Sequence, residues 1–194
     1  METQKVILVH GIFDNSRVFR RMTNYLKNKG FEVYGDLNLK PSSGKYGIEK
    51  QAEQLALYIK ANIPAGQSIN LIGFSMGGIV TRYFIQYLNQ EYRIKHLITI
   101  ASPHHGTVLA HLLNIKSCQQ LRPKSDFLNA LNTDYEKLKD IKVTSIWAHY
   151  DSMIIPNNSS RLQLGNEIIL PYGIHFIMPM TKVVIKEVEK TLSK

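Results

Sequence analysis

Ser68-Ile69-Asn70-Leu71-Ile72-Gly73-Phe74-Ser75-Met76-Gly77-Gly78 is the stretch on which the fold turns. Residues 68–72 are apolar and β-branched enough to form a strand. Residues 76–89 carry Ile79, Val80, Tyr83, Phe84 and Tyr87 at helical spacing, a packing stripe. Little chain is left between the two. A passage that abrupt needs a tight, strained turn, and glycines at 73 and 77 permit it. Ser75 then stands at the tip of a strand and the mouth of a helix, where backbone N–H groups give positive potential.

The pattern repeats outward from this unit. Residues 5–10 are almost continuously apolar, as in a strand covered on both faces. A helix over 16–28 follows, with Ser16 as cap and Gly30 as stop. Residues 31–34, 94–101, 143–148 and 167–170 read as further strands. Residues 46–62 form an amphipathic helix, ended by Pro64 and Gly66, and a helix over 177–192 closes the chain. Alternation of this kind predicts one α/β domain over 1–194, with about six mostly parallel strands and helices on both faces. In such sheets the chemistry sits at the carboxyl ends of the strands.

That constraint selects the candidate residues. A serine hydroxyl needs a general base, and a strand–turn–helix serine takes its partners in the chain order nucleophile, acid, histidine. Of the aspartates beyond Ser75, Asp126, Asp134 and Asp140 lie in or beside a polar helical stretch. Asp151 alone falls just past a strand. After it the chain holds one histidine, His175, in the loop Pro171-Tyr172-Gly173-Ile174-His175. Ser75 is therefore read as nucleophile, His175 as base and Asp151 as the group that orients it. An oxyanion would be received by the N–H of Met76 and by that of Ile12, in His10-Gly11-Ile12-Phe13. His10 precedes Ser75 and is read as a brace for that loop.

Composition bounds the rest. The chain has 194 residues, 44% hydrophobic and 20% charged, with one cysteine, Cys118, so no internal disulfide forms. No apolar run approaches the roughly 20 residues of a membrane span. The start of the chain has neither a basic leader nor a small-residue cleavage site, which suggests a cytoplasmic protein. The net charge is +9, without a nucleic-acid motif, so no nucleic-acid partner is expected. Lys182, Lys186, Lys190 and Lys194 recur along one side of a helix; peripheral contact with anionic headgroups is one reading and a solvated face the plainer one.

At Val9-His10-Gly11-Ile12, Gly73-Phe74-Ser75-Met76-Gly77-Gly78 and Ala101-Ser102-Pro103-His104-His105-Gly106-Thr107, together with the Asp151 and His175 loops, the sequence resembles the lipase and esterase family of α/β-hydrolases. Its compact size is similar to that of the small bacterial triacylglycerol lipases with a minimal lid. The resemblance implies the α/β-hydrolase fold and hydrolysis of carboxylic esters, often acyl lipids, without a cofactor. The same triad also serves acyl transfer, and a non-catalytic domain binding a lipid or a partner is the third reading. His104 and His105 lack a third ligand at a telling spacing and are read as structural rather than metal-binding. Within 107–141, the stretch 108–113 reads equally as a flap over an acyl pocket or as an ordinary core helix.

Overall fold

The computed structural model describes residues 3–194. Six strands, β1 (Lys5–Val9), β2 (Glu32–Tyr34), β3 (Ser68–Phe74), β4 (Arg93–Ile100), β5 (Lys142–Asp151) and β6 (Asn166–Gly173), form one sheet. Its order is β2-β1-β3-β4-β5-β6 and every pairing is parallel. From β1 the chain moves outward to β2, then returns to the other side of β1 as β3. The crevice for a ligand in such sheets lies where that direction switches. Here it lies between the ends of β1 and β3, which lead into Gly11 and Ser75.

Among the described residues, seven α-helices flank the sheet: α1 (Arg20–Asn28), α2 (Ile48–Asn62), α3 (Met76–Tyr83), α4 (Lys116–Gln120), α5 (Asp126–Thr133), α6 (Glu136–Lys139) and α7 (Lys182–Leu192). Strand side chains alternate between two apolar layers. Ile7, Val9, Leu71 and Leu97 pack with Leu55 and Ile59 of α2 and Ile79 and Val80 of α3. Val6, Leu8, Ile72, Ile98 and Ile146 pack with Met22 and Leu26 of α1 and Val184 and Val188 of α7. Helices on both faces explain why these strands read as continuous apolar runs. Each fully buried aliphatic side chain contributes about 1.5–3 kcal/mol.

Several boundaries differ from the sequence reading. The first helix is capped by Asn15, whose side chain accepts the Arg17 N–H at 3.0 Å, while the Ser16 N–H goes to Asn38 Oδ1 at 2.9 Å. It opens as a tight helical turn, Ser16–Phe19, before α1. The helix expected over 46–62 begins at Ile48, because Gly47 sits at a φ of 99°. The helix expected over 76–89 runs regularly to Tyr83 and then widens into a π-helical segment, Phe84–Leu88. The closing helix starts at Lys182 rather than 177. The residue before Pro179 is biased away from the α region, and Thr181, itself extended, caps the new start through the Val184 N–H. β5 and β6 extend further than expected, to Asp151 and Gly173.

Candidate active site

Ser75 holds φ 53° and ψ −126°, a backbone region that costs a non-glycine residue about 1–3 kcal/mol. Packing enforces it. The Ser75 N–H donates to the Ile100 carbonyl of β4 at 2.8 Å, and α3 leaves immediately at Met76. A Cβ on Gly77 would come within 2.2 Å of the Val9 carbonyl oxygen, so only glycine lets α3 sit this close to β1. Gly11 does the same on the other side: its Cβ would lie 2.9 Å from that of Ser75. The backbone of the loop after β1 therefore presses directly against the serine.

Three strand ends bring the expected residues together. Ser75 Oγ lies 3.0 Å from His175 Nε2, and His175 Nδ1 lies 2.9 Å from Asp151 Oδ2 and 3.1 Å from Oδ1. Asp151 is the last residue of β5, and His175 follows β6 by two residues. Asp151 Oδ1 also accepts the N–H groups of Met153 at 2.8 Å and Ile154 at 3.2 Å. Asn157 Nδ2 holds the Asp151 carbonyl at 2.7 Å. With the carboxylate accepting, His175 Nδ1 is the donor, and Nε2 is left to accept the Ser75 hydroxyl proton. The three are 6%, 7% and 3% exposed for Ser75, Asp151 and His175, so water screens their interactions weakly. Phe74 packs its ring 5.0 Å from the His175 ring, a contact the sequence reading did not anticipate.

Met76 is the first residue of α3, where a helix leaves its N–H groups without intrahelical partners. Ile12 lines the cavity at the serine. His10 is fully buried; its Nε2 accepts the Leu39 N–H at 2.9 Å, so its Nδ1 carries the proton and donates to the Gly11 carbonyl at 2.9 Å. That contact braces the loop that carries Ile12. Burial lowers the His10 pKa, which keeps the ring neutral and able to accept.

A cavity of about 380 Å³ opens over Ser75 and His175. Its wall is mostly apolar, with Val18, Leu109, Ala110, Leu121 and Ile154 among its residues, and Cys118 lines it too. Residues 108–113 are thus not an ordinary core helix. Val108–His111 is a single tight turn whose Leu109 and Ala110 face the cavity, while Val108 and Leu112 face solvent. The rest of the segment is anchored. Arg82 of α3, fully buried, donates to the Leu131 carbonyl at 2.8 Å and Asn132 Oδ1 at 2.9 Å, both on α5. It also reaches His104 Nδ1 at 3.3 Å and lies over the Tyr135 ring. His104 Nε2 then donates to Thr99 Oγ1 at 3.0 Å. Desolvation lowers the Arg82 guanidinium to about 10 and holds His104 well below its ordinary value. Both His104 nitrogens are engaged, and among the described residues no group of three or more His, Cys, Asp or Glu side chains is placed to hold a metal. The sequence reading missed Arg82, whose acceptors come from α5, far along the chain.

A parallel sheet, a strained serine between strand and helix, and acid and histidine on the next strand ends define the α/β-hydrolase fold class. Within that class the chain belongs to the palmitoyl protein thioesterase family, which it matches over residues 5–135. That match includes the Ser75 turn and ends before Asp151 and His175. The chain is 32% identical over 114 residues to a triacylglycerol lipase of Pseudarthrobacter phenanthrenivorans, covering 54% of this chain and 34% of that protein. It is 30% identical over 106 residues to the human lysosomal thioesterase PPT2, covering 52% and 34%. The matched stretch thus spans about a third of the length of these curated relatives. Among solved structures, the mature lipase BlEst2 of Bacillus licheniformis superposes with a TM-score of 0.75 at 14% identity, over 98% of this chain and 92% of that one. The ydeN product of B. subtilis gives 0.73 at 16% identity, over 99% and 100%. At these identities the likeness concerns the fold.

Proposed function

We propose that this chain hydrolyses acyl esters, oxygen esters and thioesters alike, through an acyl-enzyme on Ser75. The observation that carries the reading is the unbroken relay from Ser75 Oγ to His175 at 3.0 Å and from His175 to Asp151 at 2.9 Å. His175 Nε2 takes the hydroxyl proton as Oγ attacks the acyl carbonyl. Asp151 fixes the ring and stabilises its charged form. The N–H groups of Met76 and Ile12 receive the oxyanion, and loss of one such donor costs about a hundred- to thousandfold in kcat. His175 then protonates the departing alcohol or thiol. Water, deprotonated by the same nitrogen, frees the acid.

The substrate class follows from the wall chemistry. A mostly apolar cavity, whose polar lining beyond Ser75 and His175 is limited to Asp14 and Thr107, suits an acyl chain better than a sugar or charged peptide. Membership of a thioesterase family and likeness to a triacylglycerol lipase support the two leaving groups. A panel of acyl nitrophenyl esters and acyl thioesters of rising chain length tests this. Turnover of both bond types, rising with chain length and lost in Ser75→Ala, is expected. Equal turnover by Ser75→Ala refutes the assignment.

A further inference from the structure

We infer that the face formed by α1 and α7 docks the protein on an anionic lipid bilayer, with the cavity mouth at the edge of that contact. The stretch from Arg17 through α1 to Lys29 carries Arg17, Arg20, Arg21, Lys27 and Lys29 and no acid, and all five are exposed. Lys182, Lys186, Lys190 and Lys194, on and just past α7, are exposed as well, against Glu187 and Glu189. These two short stretches hold seven of the nine net positive charges of the chain. They meet in space: a shallow groove between the helices is lined by Arg21, Tyr25, Lys182, Ile185 and Lys186. Lys190 has a partner in Glu187 at 3.9 Å, while Arg21, Lys182 and Lys186 form no ion pair among the described residues and make up the centre of the groove.

An apolar rim adjoins this groove. The helical turn His175–Met180, which joins the catalytic histidine to α7, exposes Phe176 and Ile177, and Val183 follows on α7 itself. Phe13, which lines the same cavity, is exposed as well. Phe13 and Phe176 line the cavity, so this apolar rim joins the cationic groove to the opening above Ser75. A nucleic-acid backbone would use the cations and leave these side chains in water. The interface of an anionic bilayer takes both, cations on headgroups and apolar rings among the upper acyl carbons. Docking in this pose points the cavity mouth at the acyl layer.

Vesicle binding needs no catalysis, so sedimentation with Ser75→Ala tests this independently of the hydrolase reading. The expected result is binding to vesicles of one part phosphatidylglycerol to two parts phosphatidylcholine, weakening steeply above about 0.1 M salt. Pure phosphatidylcholine should bind far less. Each cation at an anionic surface contributes about fivefold, so the further changes Arg21→Gln, Lys182→Gln and Lys186→Gln together should weaken binding about a hundredfold. In the Ser75 background the same three changes should leave turnover of a soluble short-chain ester unchanged, which also shows that the variant is folded. Equal binding to both vesicle types, no loss in the triple variant, or binding to duplex DNA but not to vesicles overturns the inference.

Discussion

Replacing Asp151 by asparagine tests the relay at its least obvious member. Oδ1 of Asp151 accepts two backbone N–H groups, from Met153 and Ile154. An asparagine must therefore place its carbonyl oxygen there, since an NH₂ group in that position would face two donors. Its Nδ2 then falls where Oδ2 now stands, 2.9 Å from His175 Nδ1. Facing a donor, Nδ1 must become an acceptor, and the ring proton moves to Nε2. Nε2 can then no longer accept the Ser75 proton. The side chain keeps its shape, so the fold should lose little stability while the base has the wrong tautomer. By analogy with other such triads the loss in kcat is about ten-thousandfold, equivalent to about 5–6 kcal/mol in the barrier. Acyl nitrophenyl ester turnover measures it, with thermal unfolding as the control for folding. An Asp151→Asn enzyme within tenfold of wild type would show that this carboxylate does not set the state of His175.

Three further outcomes are expected. Arg82→Met removes the donor from Asn132 Oδ1 and His104 Nδ1 inside the protein, leaving the Leu131 carbonyl with Gln86 alone, and should cost about 2–4 kcal/mol in urea unfolding; a variant as stable as wild type contradicts it. Ala110→Leu fills part of the cavity wall and should lower kcat/KM for long acyl chains about fourfold per methylene excluded while sparing acetyl esters; an equal fall for all lengths would place Ala110 outside the acyl path. His10, His96 and His104 are all depressed by burial from the ordinary value of 6.5, His96 to about 4. The unfolded chain then takes up protons that the folded chain refuses, so their contribution is complete above pH 6.5 and is lost as pH falls toward the folded values. The expected result is a urea midpoint that falls as pH drops below 6.5, with His96 alone contributing about 1 kcal/mol per pH unit down to about pH 4; a flat midpoint there refutes it.

The inner strands β1 and β3 were legible because helices cover both faces, which makes their sequences largely apolar, and because 68–78 leaves almost no chain between strand and helix. The places of Ser75, Asp151 and His175 were legible for a related reason. A parallel sheet puts its strand ends on one edge, so residues a hundred positions apart fall together if each follows a strand. What stayed hidden depends on distant partners. Asn15 rather than Ser16 caps the first helical turn, and the Ser16 N–H goes to Asn38, a distant partner that local spacing does not reveal. Arg82 is buried because α5 supplies its acceptors some fifty residues later. The late start of α7 was readable in principle: the apolar pattern at 177–180 runs on, but the residue before Pro179 is biased away from the α region. The cavity-facing side of 108–113 was not, since Leu109 and Ala110 look the same in sequence whether they cover a core or a cavity.

The central claim is that the Ser75 oxygen carries the acyl group. Brief exposure of the protein to a long-chain acyl nitrophenyl ester, an acid quench and peptide mass analysis tests it directly. The expected result is the mass of one acyl chain on the peptide containing Ser75, absent when Ser75→Ala is treated in the same way. Steady ester turnover with Ser75 never modified, or undiminished in Ser75→Ala, would contradict it.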